Sequence, residues 1–267
     1  MSLAGVVRGQ GPPVLLVHGL GLCWQSWEPI FGHLADMQLH AIDLPGFGQS
    51  PPLTGPVTVA ALLDTLERHL DGQHLDRAHL VGNSLGGLIA MGLAARGRAY
   101  SVTAISPAGL AEGWARTSLR ASILGSHAVA RAGRSILPAV LASRSGRHLA
   151  MRVGTAARPA DMTAAHATTL FRSFADSTVV RPTLDAIDGP DGRLLPYLER
   201  VSVPVTVVWG SGDLLLSPRQ GLRVKREHPW VRLVRLPGAG HVPMTDDPEA
   251  VAAVIRSTVE SAGGADA

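Results

Sequence analysis

The sequence predicts an α/β fold, a mostly parallel, doubly wound sheet with an inserted α-helical lid. Three observations carry that expectation. Seven short apolar runs, each closed by turn residues, read as strands over 3–8, 14–18, 38–42, 78–82, 102–106, 203–209 and 231–236. Helical patterns separate most of them, and such alternation is the mark of a parallel sheet with helices on both faces. One interval, 108–200, breaks the alternation with stretches rich in Ala, Arg, Leu and Ser and no convincing strand.

The helices follow in order. One is expected over 27–35, after the second strand. The next spans 57–70, where Val59, Leu62, Leu63, Leu66 and Leu70 fall at helical spacing and make one apolar stripe. A third, 85–96, follows the fourth strand. Within 108–200, helix-like stretches lie near 115–132, 135–141, 147–157 and 159–176. Ser217-Pro218 opens a helix to about residue 228, with proline at its first position. Asp247-Pro248-Glu249 opens the last helix, to about residue 259, and the small-residue tail 261–267 is expected to fray. The expected organisation is a core of residues 1–107 and 201–267, with 108–200 as a cap, because long insertions of this kind are commonly functional covers.

Composition bounds the function. The 267 residues suit one α/β domain with an insertion, and 46% apolar content is ample for a core. No apolar run approaches the ~18–20 residues that cross a bilayer. The start lacks a basic stretch followed by an apolar one, so no signal peptide is expected. A single cysteine, Cys23, excludes an intrachain disulfide and fits a reducing, cytoplasmic setting. Net charge is +3, and Lys225 is the one lysine among 24 basic residues. The charge is uneven: 110–200 holds 12 Arg against 7 acidic residues, and 115–159 has eight Arg and no Asp or Glu. Scattered surface charge is ordinarily just solvated. Attraction of an anionic substrate or a membrane surface is the second reading. There is no helix-turn-helix, RNP or zinc-finger pattern, no Cys/His cluster with zinc spacing and no P-loop. No nucleic-acid partner, metal or organic cofactor is therefore expected.

Chemistry is expected just after the strands, where ligands of parallel sheets bind. Gly82-Asn83-Ser84-Leu85-Gly86 sits between a strand and a helix. A chain turning that sharply strains the serine backbone and demands small neighbours at −2 and +2. The serine oxygen is then presented above the sheet edge as a nucleophile. Such a hydroxyl needs a base, and the base an orienting acid. Of 11 histidines, His241 stands out, in the Gly-rich loop between the last strand and the last helix. Asp213 supplies the acid, after the strand and Gly-Ser-Gly turn of Trp209-Gly-Ser-Gly-Asp213; Asp43, Asp246 and Asp247 are competitors. Asp43 reads better as the organiser of its own loop, and Asp247 as a helix cap. Charge developing on a carbonyl oxygen needs fixed N–H donors, each worth about 3–4 kcal/mol. The expected donors are Leu85 N–H at the helix N-terminus and Leu20 N–H in His18-Gly-Leu-Gly, with His18 shaping that loop. Trp24, Leu110 and Trp114 are the expected pocket walls, with core packing as the equal alternative.

His18-Gly-Leu-Gly, Asp43-Leu-Pro-Gly-Phe-Gly-Gln-Ser, Gly82-Asn-Ser-Leu-Gly-Gly, Trp209-Gly-Ser-Gly-Asp and Gly240-His-Val-Pro together resemble the α/β-hydrolase superfamily, over about residues 6–259. The resemblance implies the α/β-hydrolase fold with a variable lid, and the order Ser84, Asp213, His241 for its catalytic residues. Members usually open with two antiparallel strands, and only one fits before Val14. Relatives that act as dehalogenases or epoxide hydrolases carry aspartate at the position of Ser84. Relatives that cleave carbon–carbon bonds usually carry tryptophan where this chain has Val242. The implied activity is hydrolysis of a small-molecule carboxylic ester or thioester. A C–C bond hydrolase or perhydrolase on the same residues, and a ligand-binding receptor on the same fold, are the alternatives.

Overall fold

The computed structural model describes residues 2–152 and 154–263. All seven expected strands form: β1 (Gly5–Arg8), β2 (Pro13–Val17), β3 (Gln38–Ile42), β4 (Ala78–Asn83), β5 (Ala99–Ile105), β6 (Val205–Gly210) and β7 (Arg232–Leu236). They make one sheet in the order β1-β3-β2-β4-β5-β6-β7. Only β1 is antiparallel, pairing Gly5 with Ile42 and Arg8 with Leu39. β4 lies mid-sheet and is buried along its whole length, including the polar His79 and Asn83.

Helices cover both faces. They are α1 (Glu28–Phe31), α2 (Val59–Gly72), α3 (Leu85–Ala95), α4 (Gly113–Ala132), α5 (Leu137–Ala142), α6 (Arg144–Met151), α7 (Ala164–Asp176), α8 (Val180–Asp188), α9 (Leu195–Leu198), α10 (Arg219–Glu227), α11 (Pro243–Asp246) and α12 (Pro248–Gly263). The Thr58 hydroxyl caps α2 by accepting from Ala61 N–H at 3.0 Å, and the apolar stripe of α2 is buried as its spacing requires. α3 is apolar on all sides because it is enclosed on all sides, from Leu85 to Ala94. Two core clusters result, one on each face of the sheet. One centres on α2 and α3, and the other on Trp27, Ile30, Leu34 and α12.

Several local expectations are corrected. The single helix over 27–35 is instead a 3-10 turn (Trp24–Trp27), α1 and a second 3-10 turn (Gly32–Leu34). Pro29 and Gly32 both sit in this stretch, and neither sustains a continuous helix. Pro218 is the residue before α10, not its first position. Between β5 and β6 the described residues carry helices and no strand, as expected, but α6 ends at Met151, and the stretch after Pro159 is a 3-10 turn followed by α7. α8 and α9 were not expected at all. Asp247 caps α12 through its Oδ1, 3.0 Å from Ala250 N, and α12 reaches Gly263. Residues 264–267 of the tail lie outside the described residues.

Buried imidazoles set an acid limit. Burial lowers the pKa of His18, His40, His69, His79, His127 and His166. His18 donates from Nδ1 to Gly19 O at 2.7 Å, and its Nε2 accepts from Leu44 N–H at 2.9 Å, so a second ring proton would face an N–H. Neither ring nitrogen of His40 has a partner. Below about pH 6.5 the unfolded chain takes up protons that the folded chain resists, so stability falls as pH falls. Thermal melts are expected to show Tm nearly level above about pH 7 and declining as pH falls through about 6.5 to 5.5. A flat Tm over that window would mean that these rings are not held neutral.

Candidate active site

The loops that follow β2, β3, β4, β6 and β7 all emerge at the carboxyl edge of the sheet and carry His18, Asp43, Ser84, Asp213 and His241. The turn from β4 into α3 is built around Ser84, whose φ of 56° and ψ of −115° lie outside the usual regions for a side-chain-bearing residue. Its surroundings hold it there. Ser84 N–H donates to Ile105 O at 2.9 Å, and its carbonyl accepts from Ala108 N–H at 2.9 Å and Gly87 N–H at 3.0 Å. The flanking glycines are a packing requirement. A Cβ on Gly82 would lie 2.0 Å from Gly86 O, and one on Gly86 would lie 2.0 Å from Val17 O of β2.

Asp213 and His241 meet because their loops are laced together. Ser211 N–H donates to Leu236 O at 2.9 Å, and Gly212 N–H to Ala239 O at 2.8 Å. The His241 ring then donates from Nδ1 to Asp213 Oδ2 at 2.8 Å, since an ionised carboxylate can only accept. Asp213 Oδ1 accepts from Leu215 and Leu216 N–H, each at 2.9 Å. Burial alone would raise the Asp213 carboxyl. The His241 ring and the two N–H groups outweigh it and hold the carboxyl below the usual carboxylate range. With the proton fixed on Nδ1, Nε2 of His241 is left as the acceptor.

Ser84 and His241 line one cavity of about 590 Å³, together with Gly19 and Leu20. No hydrogen bond joins the Ser84 hydroxyl to the ring among the described residues. Such bonds often close only when substrate is in place. Leu85 opens α3, so its N–H has no acceptor within that helix. A smaller cavity of about 270 Å³ is lined by Leu85 and Leu110, and it shares Leu20, Ser84, Ile123 and Leu215 with the larger one. Two chambers thus meet at Ser84.

The other expected residues fall as follows. Leu110 walls the smaller chamber. Trp24 lines neither chamber. It stacks on Phe31, with ring centroids 6.4 Å apart, and packs on the sheet core. Trp114 is 83% exposed, in the first turn of α4, and lines neither chamber. Large apolar residues thus misled in both cases, because size does not say which way a side chain faces. The walls of the large chamber are instead Ile123 and Val129 of α4, Leu170, Phe171 and Phe174 of α7, and Leu215. The helix-like stretches that carry all of these but Leu215 were visible in the sequence, but not the face each would turn to.

Asp43 organises its loop, accepting from Trp24 N–H at 2.7 Å and Gln49 N–H at 2.9 Å. Asp246 has a role that sequence reasoning missed. Its carboxylate accepts from Gly240 N–H at 2.7 Å, Ala157 N–H at 2.9 Å and Arg158 N–H at 2.8 Å. Val242 N–H donates to Thr155 O at 2.7 Å, and Asn83 Nδ2 to His241 O at 2.9 Å. Three successive residues around His241 are therefore pinned, two of them through Asp246 or the segment 155–158.

A family model described as "Alpha/beta hydrolase family" matches residues 14–254. The chain is 39% identical over 61 residues to a pimeloyl-[acyl-carrier protein] methyl ester esterase of Shewanella sp. (strain MR-7), a match covering 22% of this chain and only 23% of that protein. Among solved structures it is similar to an E-2-(acetamidomethylene)succinate hydrolase, with TM-score 0.76 and 22% identity over 97% of this chain and 95% of the other. It is also similar to the enol-lactonase from Burkholderia xenovorans LB400, with TM-score 0.74 and 22% identity over 97% and 96%.

Proposed function

The chain belongs to the alpha/beta hydrolase family, and we propose that it is a serine hydrolase of carboxylic esters or thioesters working through an acyl-enzyme on Ser84. One observation carries the reading. A serine held on a strained turn shares a cavity wall with an imidazole whose far nitrogen is bonded to a buried carboxylate. The esterase named among the similar proteins supports the ester class.

In this mechanism His241 Nε2 takes the Ser84 proton as Oγ attacks the acyl carbonyl. The N–H groups of Leu20 and Leu85 hold the resulting oxyanion. The intermediate collapses, and the leaving alcohol or thiol takes the proton from His241. Water then adds to the acyl-enzyme with His241 again as base, releasing the carboxylic acid and restoring Ser84. Asp213 keeps the ring oriented and stabilises its charged form throughout. Residues 108–200 act as a cap over the two chambers. The larger chamber, within the range of pockets that hold drug-sized ligands, takes the bulkier apolar half of the substrate.

The test is intact mass after treatment with a fluorophosphonate. A single adduct is expected on the native chain, formed as Ser84 displaces fluoride, and none on Ser84→Ala. Folded native protein that takes up no label would overturn the reading and leave a ligand-binding protein on this fold.

A further inference from the structure

The mouth of the larger chamber has a surface unlike the rest of the molecule. Two of its lining residues face outward, Val129 at 68% and Leu149 at 84% exposed. Ile136, in the turn between α4 and α5, stands 67% exposed beside them, and Val140 of α5 is partly exposed too. Leu137, next to Ile136, lines the same chamber, so these side chains form one rim. Monomeric surfaces seldom cluster apolar groups this way without a use.

The charge around the rim is one-sided. Residues 113–160 contain eight arginines and no Asp or Glu. Arg116 and Arg120, at the far end of α4, pair with Asp188 and Asp185, and Arg144 pairs with Asp161. Arg147 is buried and donates to the carbonyls of Leu141, Ala142 and Ala160. Arg158 donates to Asp246 O, and Arg152 has its Nη1 buried. Arg131 and Arg134 are exposed and have no carboxylate partner among the described residues, and both lie within a few residues of the rim positions Val129 and Ile136.

We propose that this rim docks the protein on the surface of an anionic lipid bilayer, with the mouth of the larger chamber facing the lipid. The two kinds of side chain match the two layers of such a surface. Val129, Ile136 and Leu149 reach the apolar layer, while the arginines extend to the phosphates above it. A partner protein would have to present acidic and apolar groups in one plane, whereas a bilayer offers them at separate depths. The attachment is peripheral, since no helix among the described residues is long and apolar enough to cross a membrane. An acyl chain leaving the lipid would enter the chamber without crossing water. That last consequence rests on the acyl-enzyme reading, whereas the docking itself does not.

The test is co-sedimentation of the full chain with vesicles of phosphatidylglycerol or of phosphatidylcholine, at low and raised salt. Gel filtration is run in parallel. Binding is expected to the anionic vesicles only and to weaken with salt. The double variant Arg131→Gln, Arg134→Gln should bind roughly 25-fold more weakly, about fivefold per arginine. Ile136→Ser should also weaken binding. None of these positions lines either chamber, so hydrolysis of a soluble short-chain ester should be unchanged in both variants. Absence of binding, equal binding to both vesicles, or binding indifferent to both variants would overturn the proposal. So would a dimer that Ile136→Ser disperses, which would make the rim an interface between copies. Ser84→Ala should bind vesicles like the native chain, so failure of the docking and failure of the catalytic reading are seen separately.

Discussion

Replacing Ser84 with alanine is expected to cut ester turnover by about 10⁵-fold or more while leaving the fold intact. The magnitude follows from interdependence. In the proposed mechanism His241 has no proton to take without the hydroxyl, and Asp213 has no charged ring to stabilise, so one substitution silences all three groups. What survives is the contribution of the Leu20 and Leu85 N–H groups and of binding in the two chambers. The structure argues that stability is spared. Alanine keeps the Cβ and therefore the same strained backbone, and the elbow is held by the Ser84 peptide groups bonded to Ile105, Gly87 and Ala108. The measurement is turnover of a p-nitrophenyl ester alongside a thermal melt of the same preparation. Native-like turnover by a well-folded variant would remove Ser84 from the chemistry. Lost turnover with a collapsed melt would say only that the turn had failed.

Replacing Gly86 with alanine is expected to disrupt both the fold and the site. Its Cβ would sit 2.0 Å from Val17 O and 2.8 Å from His18 O. Both obstacles are backbone. Val17 is paired with Ile42 on one side and Gly82 on the other, so it cannot yield without breaking the sheet. The helix must move instead, and α3 is enclosed on all sides by apolar neighbours. Overpacking against backbone on both sides belongs at the upper end of the usual range, about 3 kcal/mol. Activity should fall further than stability, because His18 opens the loop that carries Leu20 N–H, and α3 carries Leu85 N–H. Any shift separates the two proposed oxyanion donors from each other. Urea unfolding and turnover together check this. A variant with native stability and native turnover would show that the close approach of α3 to β2 is not needed.

The elements most legible in the sequence were those written locally. Each strand is a run of apolar residues ended by turn residues, and all seven appear within three residues of their expected limits. α8 and α9 were illegible for the opposite reason. They are short, each carries a proline in its first turn (Pro182 and Pro196), and α8 is held by burying Val180, Thr183 and Leu184 against other elements, not by its own propensity.

The site divides in the same way. The elbow is a local object: two glycines, a serine between them, a strand before and a helix after determine it, because the clash that excludes larger residues arises within the turn and against the strand next to it. Which carboxylate reaches the His241 ring is not local. Asp43 and Asp213 follow strands closely and Asp246 closes α11, and only the tertiary structure sends Asp213 to the ring, Asp246 to the N–H groups of Gly240, Ala157 and Arg158, and Asp43 to its own loop. The chamber walls were decided there too, since helical spacing identifies an apolar face but not the surface it will meet. Local sterics are encoded in neighbouring residues, whereas contacts between residues 28 or 89 positions apart depend on how whole elements pack.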